Sequence, residues 1–177
     1  EASTIVNQVN QRVLQSLNAN KARYANNPAQ LTQLVERDIV PFIDFTAFSK
    51  LILSKHWRTA TPAQRQQFQQ AFKQMLMRTY TKSMLEYSDA KLIITRELAG
   101  AKAGYVKVYA KFSLGNGQPD VPVIFEMRQK NGQWKAYNVT VQAFSLVENF
   151  RSSFSKEINQ YGLDGLIQRL RSNQIKE

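Results

Sequence analysis

The sequence predicts an α+β fold in which helices pack on one face of a four-stranded antiparallel meander. Three observations carry that prediction. Apolar residues recur at spacings of three and four up to about residue 88, alternate with period two from 91 to 143, and then return to helical spacing. Four consecutive strand patterns are separated only by turn-forming residues, so neighbours in sequence are expected to be neighbours in the sheet. Helices grouped before and after a run of strands, instead of alternating with them, place the helices against one side of the sheet. At 177 residues a single domain spanning 1–177 is expected, long enough to bury most of its apolar surface and enclose a cavity.

Residues 2 to 20 set Ile5, Val9, Val13, Leu14 and Leu17 at helical spacing, an amphipathic opening helix. A second helix begins at Asn27-Pro28-Ala29-Gln30, where Asn can cap, Pro suits the first turn and Gln stands three residues after the cap. It should end before Pro41, because the residue preceding proline is pushed out of the α region. Asp44 then caps a short helix carrying Phe45, Phe48, Leu51 and Ile52.

Thr61-Pro62-Ala63-Gln64 joins a Thr cap, Pro at the first helical position and Gln at the capping-box position. A long helix to about Tyr87 is expected, with Phe68, Phe72, Met75, Leu76, Tyr80, Met84 and Tyr87 on one stripe. Strands follow at 91–98, 104–114, 121–130 and 133–143. In the second, Val106, Val108, Ala110, Phe112 and Leu114 alternate with Tyr105, Lys107, Tyr109, Lys111 and Ser113. Asn131-Gly132 is the preferred two-residue signal for a type I′ hairpin. Ser145-Leu146-Val147-Glu148 reads as a further capping box opening a helix with Val147, Phe150, Phe154 and Ile158, and a last helix carries Leu166, Ile167 and Leu170 after Gly162-Leu163-Asp164-Gly165.

Composition excludes several chemistries. With no Cys there is no disulfide framework, iron–sulfur cluster or thiol nucleophile, and with His56 as the only imidazole a multi-histidine metal site is impossible. A Ser/His triad would have to be built on that one residue. No stretch approaches the roughly 18 to 20 consecutive apolar residues that span a bilayer as a helix, so a soluble protein is expected. The chain begins at Glu1-Ala2-Ser3, as either an arbitrary boundary or a removed signal peptide would leave it. A formal charge of +11 favours anionic surfaces, and no acidic residue falls between Asp44 and Glu86, where Lys50, Lys55, Arg58, Arg65, Lys73, Arg78 and Lys82 stand. The same run is also what a solvated basic face looks like.

No catalytic constellation emerges. Gly115-Asn116-Gly117 joins two strands and is no phosphate cradle, and there is no nucleophile elbow or EF-hand spacing. Glu36 and Asp38, two apart on a helix, point in different directions and read as surface residues, while Asp44 and Asp164 read as caps. His56, in a loop beside Trp57, reads as a packing or hydrogen-bonding residue before it reads as a general base. What the chain has in excess is soft apolar material on faces that should meet. Such stripes are ordinary core unless the sheet curves and the helices leave a space between them.

Pro41-Phe42-Ile43-Asp44-Phe45, Trp57-Arg58-Thr59-Ala60-Thr61-Pro62-Ala63-Gln64-Arg65-Gln66-Gln67-Phe68, Ala71-Phe72-Lys73-Gln74-Met75-Leu76 and Thr79-Tyr80, taken together, resemble the MlaC, or toluene-tolerance, family. The resemblance continues through Trp134-Lys135-Ala136-Tyr137-Asn138-Val139, Ser145-Leu146-Val147, Asn149-Phe150-Arg151 and Gly162-Leu163-Asp164-Gly165-Leu166, covering about residues 27 to 170. Two positions depart from the family pattern. Ala143 stands where Gly usually precedes the hydrophobic–Ser pair, here Phe144-Ser145, and Leu53-Ser54 stands where Leu-Gly is common.

The resemblance implies a curved sheet and helices enclosing an apolar pocket for acyl chains, in a periplasmic phospholipid carrier of Gram-negative bacteria serving the Mla pathway of outer-membrane lipid asymmetry. The signal peptide would have been removed. It implies phospholipid as cargo, no cofactor and no metal, and as partners the MCE-domain protein of an inner-membrane ABC transporter and an outer-membrane lipoprotein–porin complex. A monomer with transient membrane-protein contacts is expected, and no catalytic residue is carried over.

Facing periodicity and the resemblance together nominate tail contacts from Phe48, Leu51, Ile52, Phe72, Met75, Leu76, Tyr80 and Met84, facing Val108, Phe112, Phe125, Val139, Val141, Val147 and Phe150 across the pocket. On that assignment, Trp at Met75 or Val141 would lower lipid occupancy and leave the fold intact. The alternatives are a small-molecule enzyme with a cone-shaped α+β cavity, which needs a buried polar cluster, and a nucleic-acid binder using the positive charge. The inward strand faces carry almost no polar residues, and the basic residues are scattered over every element.

Overall fold

The computed structural model describes residues 1–175; the last two residues of the expected domain, 176 and 177, lie outside the described residues. Helix α1 (Ala2–Ala19) is followed by α2 (Lys21–Asn26) and α3 (Pro28–Asp38), then by a 3₁₀ turn at Val40–Phe42. Helices α4 (Phe45–Leu53), α5 (Lys55–Thr59) and α6 (Pro62–Tyr80) lead to a 3₁₀ segment, Thr81–Tyr87. Strands β1 (Lys91–Ala99), β2 (Tyr105–Ser113), β3 (Val121–Lys130), β4 (Gln133–Val141) and β5 (Phe144–Ser145) form one antiparallel sheet in sequence order. Helix α7 (Leu146–Arg171) closes the described chain.

Asp44, Thr61 and Ser145 cap as their residue types dictate, whereas Asn27 makes no side-chain cap bond to α3. Asp44 accepts the Ala47 N–H at 3.0 Å, and Thr61 and Gln64 make both bonds of a reciprocal capping box. Ser145 accepts the Glu148 N–H at 3.2 Å. Asn131 and Gly132 both have positive φ, at 53° and 77°, as a type I′ turn requires.

Six features differ from the sequence expectations. The sheet has five strands, not four, because β5 turns back to pair Val141 with Phe144. The long helix stops at Tyr80, and residues 81–87 tighten into 3₁₀ geometry. The two C-terminal helices run together as α7 across a break at Gly162, whose φ of 75° and ψ of 172° are open to glycine. Asp164 caps no helix among the described residues and accepts the Gln64 amide at 3.0 Å. Asp38 is buried, its carboxylate met twice by the neighbouring Arg37 guanidinium at 3.0 and 2.8 Å. His56 belongs to α5 and not to a loop.

Apolar burial falls into three clusters. The first is helical: Phe48, Phe68, Phe72, Met75, Phe150 and Phe154 interlock from α4, α6 and α7. Phe72 sits at its centre, its ring meeting those of Phe48, Phe150, Phe68 and Phe154 at centroid distances of 5.3, 5.1, 5.6 and 5.9 Å. The second joins the start of α1 and Phe42 to Val106, Val108, Met127 and Ala136 of the sheet. The third packs Val13 and Leu17 of α1 on Leu31 and Leu34 of α3, with Met84 and Leu85 against them. Asp44 links the first two, since its backbone N–H donates to the Ala136 carbonyl at 2.8 Å while its side chain caps α4.

Candidate functional site

Between the second and third clusters the packing does not close. It leaves a cavity of about 670 Å³, bounded by α1, the 3₁₀ segment and one face of the sheet. That volume lies within the roughly 300–1,000 Å³ of small-molecule sites. Helix α1 contributes one whole stripe: Val6, Val9, Asn10, Val13, Leu14 and Leu17. Ile39, Phe42, Ile43 and Leu146 add to the lining, with Tyr80, Ser83, Met84, Glu86 and Tyr87 from the end of α6 and the 3₁₀ segment.

The sheet wall is made of cross-strand neighbours. Leu92 faces Phe112 and Phe112 faces Val121; Val123 faces Val141, and Phe125 faces Val139. The last two depend on an irregularity. Between Ala136 and Asn138, β4 carries one residue more than the single step from Met127 to Glu126 on β3, so Tyr137 is a bulge residue. Without it, the alternation that buries Ala136 on the second cluster would carry Val139 and Val141 to the other side. The bulge therefore re-aims the end of β4 into the cavity.

Of the nominated contacts, Tyr80, Met84, Phe112, Phe125, Val139 and Val141 line this cavity. The others lie elsewhere. Phe48, Ile52, Phe72, Met75, Val147 and Phe150 are packed into the helical cluster, with Leu76 against it, because the stripe of α6 meets α4 and α7 and not the sheet. Val108 is sealed in the cluster beneath the sheet, and Leu51 is exposed. Sequence reasoning passed over α1, Leu92, Val121 and Val123. Their only signal was apolar periodicity, which the closed core shares.

Polarity in the cavity is confined to Asn10, Ser83, Glu86 and the tyrosine hydroxyls. Tyr80, Glu86 and Tyr87 are the exposed members of the lining, and all three come from residues 80–87, so the opening runs along that segment. Groups with shifted titration lie away from it. On the opposite face of the sheet the Arg128 guanidinium bonds the Tyr105 hydroxyl at 3.3 Å and lowers that phenol's pKa, while burial raises that of Tyr137. His56 is outside the cavity too, beside a depression of about 140 Å³ formed with Ile52, Arg151 and Phe154, and its Nε2 is buried without a hydrogen-bond partner among the described residues. No group of His, Asp or Glu among the described residues is arranged to hold a metal ion.

An apolar cavity, open along one edge and polar only there and at Asn10, defines a protein that encloses an amphipathic molecule. The chain belongs to the MlaC family, described as "MlaC protein", whose model matches residues 7–172. It is 33% identical over 153 residues to the toluene tolerance protein ttg2D of Pseudomonas putida, covering 86% of this chain and 70% of that one. It is 20% identical over 171 residues to the intermembrane phospholipid transport system binding protein MlaC of Haemophilus influenzae, covering 96% and 80%. The fold is similar to that of a phospholipid-binding protein from Ralstonia solanacearum solved in complex with a phospholipid, with a TM-score of 0.88, 27% identity and 98% of each chain covered. Among the described residues, no helix is long and apolar enough to cross a membrane.

Proposed function

We propose that this protein is a periplasmic phospholipid carrier that buries acyl chains in the cavity between α1 and the sheet. The observation that carries the reading is the cavity itself, about 670 Å³ of space walled by aliphatic and aromatic side chains, its polar side chains apart from Asn10 lying on residues 80–87 at the opening. Membership of the MlaC family and the likeness to a protein solved with a phospholipid support the same cargo. Binding, not catalysis, is the role: the lining holds one carboxylate and no imidazole. No cofactor is needed.

The physics of the cargo sets the requirement. Moving a phospholipid of about 30 methylenes from bilayer to water costs on the order of 24 kcal/mol at ~0.8 kcal/mol per methylene. A carrier has to offset most of that, which a closed apolar wall does and an open groove does not. Met84, unbranched and polarizable, suits tails of differing length. In the cell the carrier would move phospholipid between an outer-membrane lipoprotein–porin complex and the MCE-domain protein of an inner-membrane ABC transporter, so maintaining outer-membrane lipid asymmetry. The net charge of +11 would speed encounters with anionic surfaces.

Native mass spectrometry of protein purified from bacterial cells without detergent, followed by solvent extraction, tests the cargo. A stoichiometric adduct of phospholipid mass is expected. An unliganded mass that persists after incubation with phospholipid vesicles would overturn the reading.

A further inference from the structure

The polar end of the cavity has a sign. In 3₁₀ geometry residues three apart eclipse one another, so Ser83 and Glu86 stand in line on the segment that edges the opening, and both face the cavity. Asn10 of α1 adds a neutral amide to the lining. Glu86 is the only ionisable carboxylate of that lining among the described residues, and no described residue pairs with it.

Lys and Arg outnumber Asp and Glu by 24 to 13, and Asp38, Asp44, Asp89, Asp120, Glu36, Glu126 and Glu157 all have a basic partner; Glu1, Glu97, Glu148 and Asp164 have none among the described residues, but none of these lines the cavity. Glu86 stands without one, where the head of a lipid whose tails fill the cavity must sit. Lys82, on the same segment, is exposed and does not line the cavity.

We infer that Glu86 makes the opening selective for an ammonium-bearing headgroup, so that phosphatidylethanolamine is held in preference to phosphatidylglycerol. The inference rests on the phospholipid-carrier reading. A primary ammonium presents three donors and a full positive charge to the Glu86 carboxylate, with the Ser83 hydroxyl as a further acceptor. Phosphatidylglycerol has the same phosphate but no cation, and it places its net negative charge beside an unpaired carboxylate. The protein's overall charge pulls the other way and favours anionic lipid at long range. Removing the local carboxylate should therefore expose that opposite preference.

The test is competitive loading. Delipidated protein is incubated with vesicles of equimolar phosphatidylethanolamine and phosphatidylglycerol, recovered by size exclusion, extracted, and both lipids are quantified against protein. Glu86→Gln is expected to lower the ratio of bound phosphatidylethanolamine to phosphatidylglycerol by about two- to fivefold, the range of an exposed ion pair. Glu86→Lys should lower it further. Full occupancy with a ratio that neither substitution moves would overturn the headgroup inference and leave the carrier reading standing. A wild-type protein that loads neither lipid would overturn both.

Discussion

The side-chain oxygen of Asn138, buried on β4, accepts the backbone N–H of Val147 at the start of α7 at 3.1 Å. The same oxygen takes the Val139 N–H at 2.9 Å, and the amide nitrogen reaches Glu126 at 2.6 Å and the Ser145 hydroxyl at 3.0 Å. One side chain thus ties two strands to the first turn of α7, just beyond the bulge that turns Val139 and Val141 into the cavity.

Asn138→Ala should leave the buried Val147 N–H without an acceptor, a loss of about 1–3 kcal/mol. Urea denaturation followed by circular dichroism would show the midpoint falling with the slope unchanged. A midpoint equal to that of the wild type would mean that water replaces the side chain and that the network holds nothing together.

Met75 and Val141 stand on different sides of the molecule's division of labour. Met75 has no exposure and packs in the helical cluster, whereas Val141 lines the cavity opposite Val123. Val141→Trp should lower bound lipid with little change in thermal midpoint. Met75→Trp should instead destabilise the fold by about 1–3 kcal/mol through overpacking, and so be no test of cargo. Lipid content and melting curves on both variants separate the two effects, and a Val141→Trp protein that still fills with lipid would argue against a single continuous cavity.

Ser54 and Ala143 are two of the six described non-glycine residues with positive φ, a conformation that favours glycine. Ser54 has φ 54° and ψ −120°, and Ala143 has φ 71°. These are the two positions where glycine is usual in the resembling family, so the backbone shape is kept while the residue that fits it best is not. Ser54→Gly and Ala143→Gly should each stabilise by about 1 kcal/mol, the strain relieved exceeding glycine's greater freedom in the unfolded chain. The converse substitution at Gly162, Gly162→Ala, should destabilise by a similar amount. Differential scanning calorimetry on the three single variants would settle the signs, and a lower midpoint for Ser54→Gly would contradict the strain argument.

The acid-free stretch leaves Lys50, Lys55, Arg58 and Lys82 without ion-pair partners among the described residues, while Lys73 pairs with Glu36 at 3.3 Å and Arg65 lies over Trp57 at 4.9 Å. Flotation with anionic vesicles should therefore decline as salt is raised from about 0.05 M to 0.5 M, over which the screening length shortens severalfold. A Lys50→Glu, Lys55→Glu, Arg58→Glu variant should float less at low salt. Salt-independent flotation, equal in the variant, would assign any vesicle binding to apolar contacts instead.

Much of the secondary structure was legible in the sequence because its determinants act over a few residues. Thr61 and Gln64 bond each other's backbone, Asp44 reaches Ala47, and Asn131-Gly132 fixes its own turn. Period-two alternation likewise placed Phe112, Phe125, Val139 and Val141 on one side, and the ordered motifs pointed to the MlaC family, which the match over residues 7–172 shows. What the sequence could not decide was which apolar stripe closes on a neighbour and which is held away from one. The stripes of α1 and α6 have the same period and similar side chains, yet Phe72 on α6 is locked among four other rings and Val9 on α1 faces open space. Apolar burial is non-directional, so a pattern states that a face avoids water and not what it meets. The bulge at Tyr137, the tightening of residues 81–87 and the packing of the start of α1 on the sheet make that choice, through contacts between segments far apart in the chain.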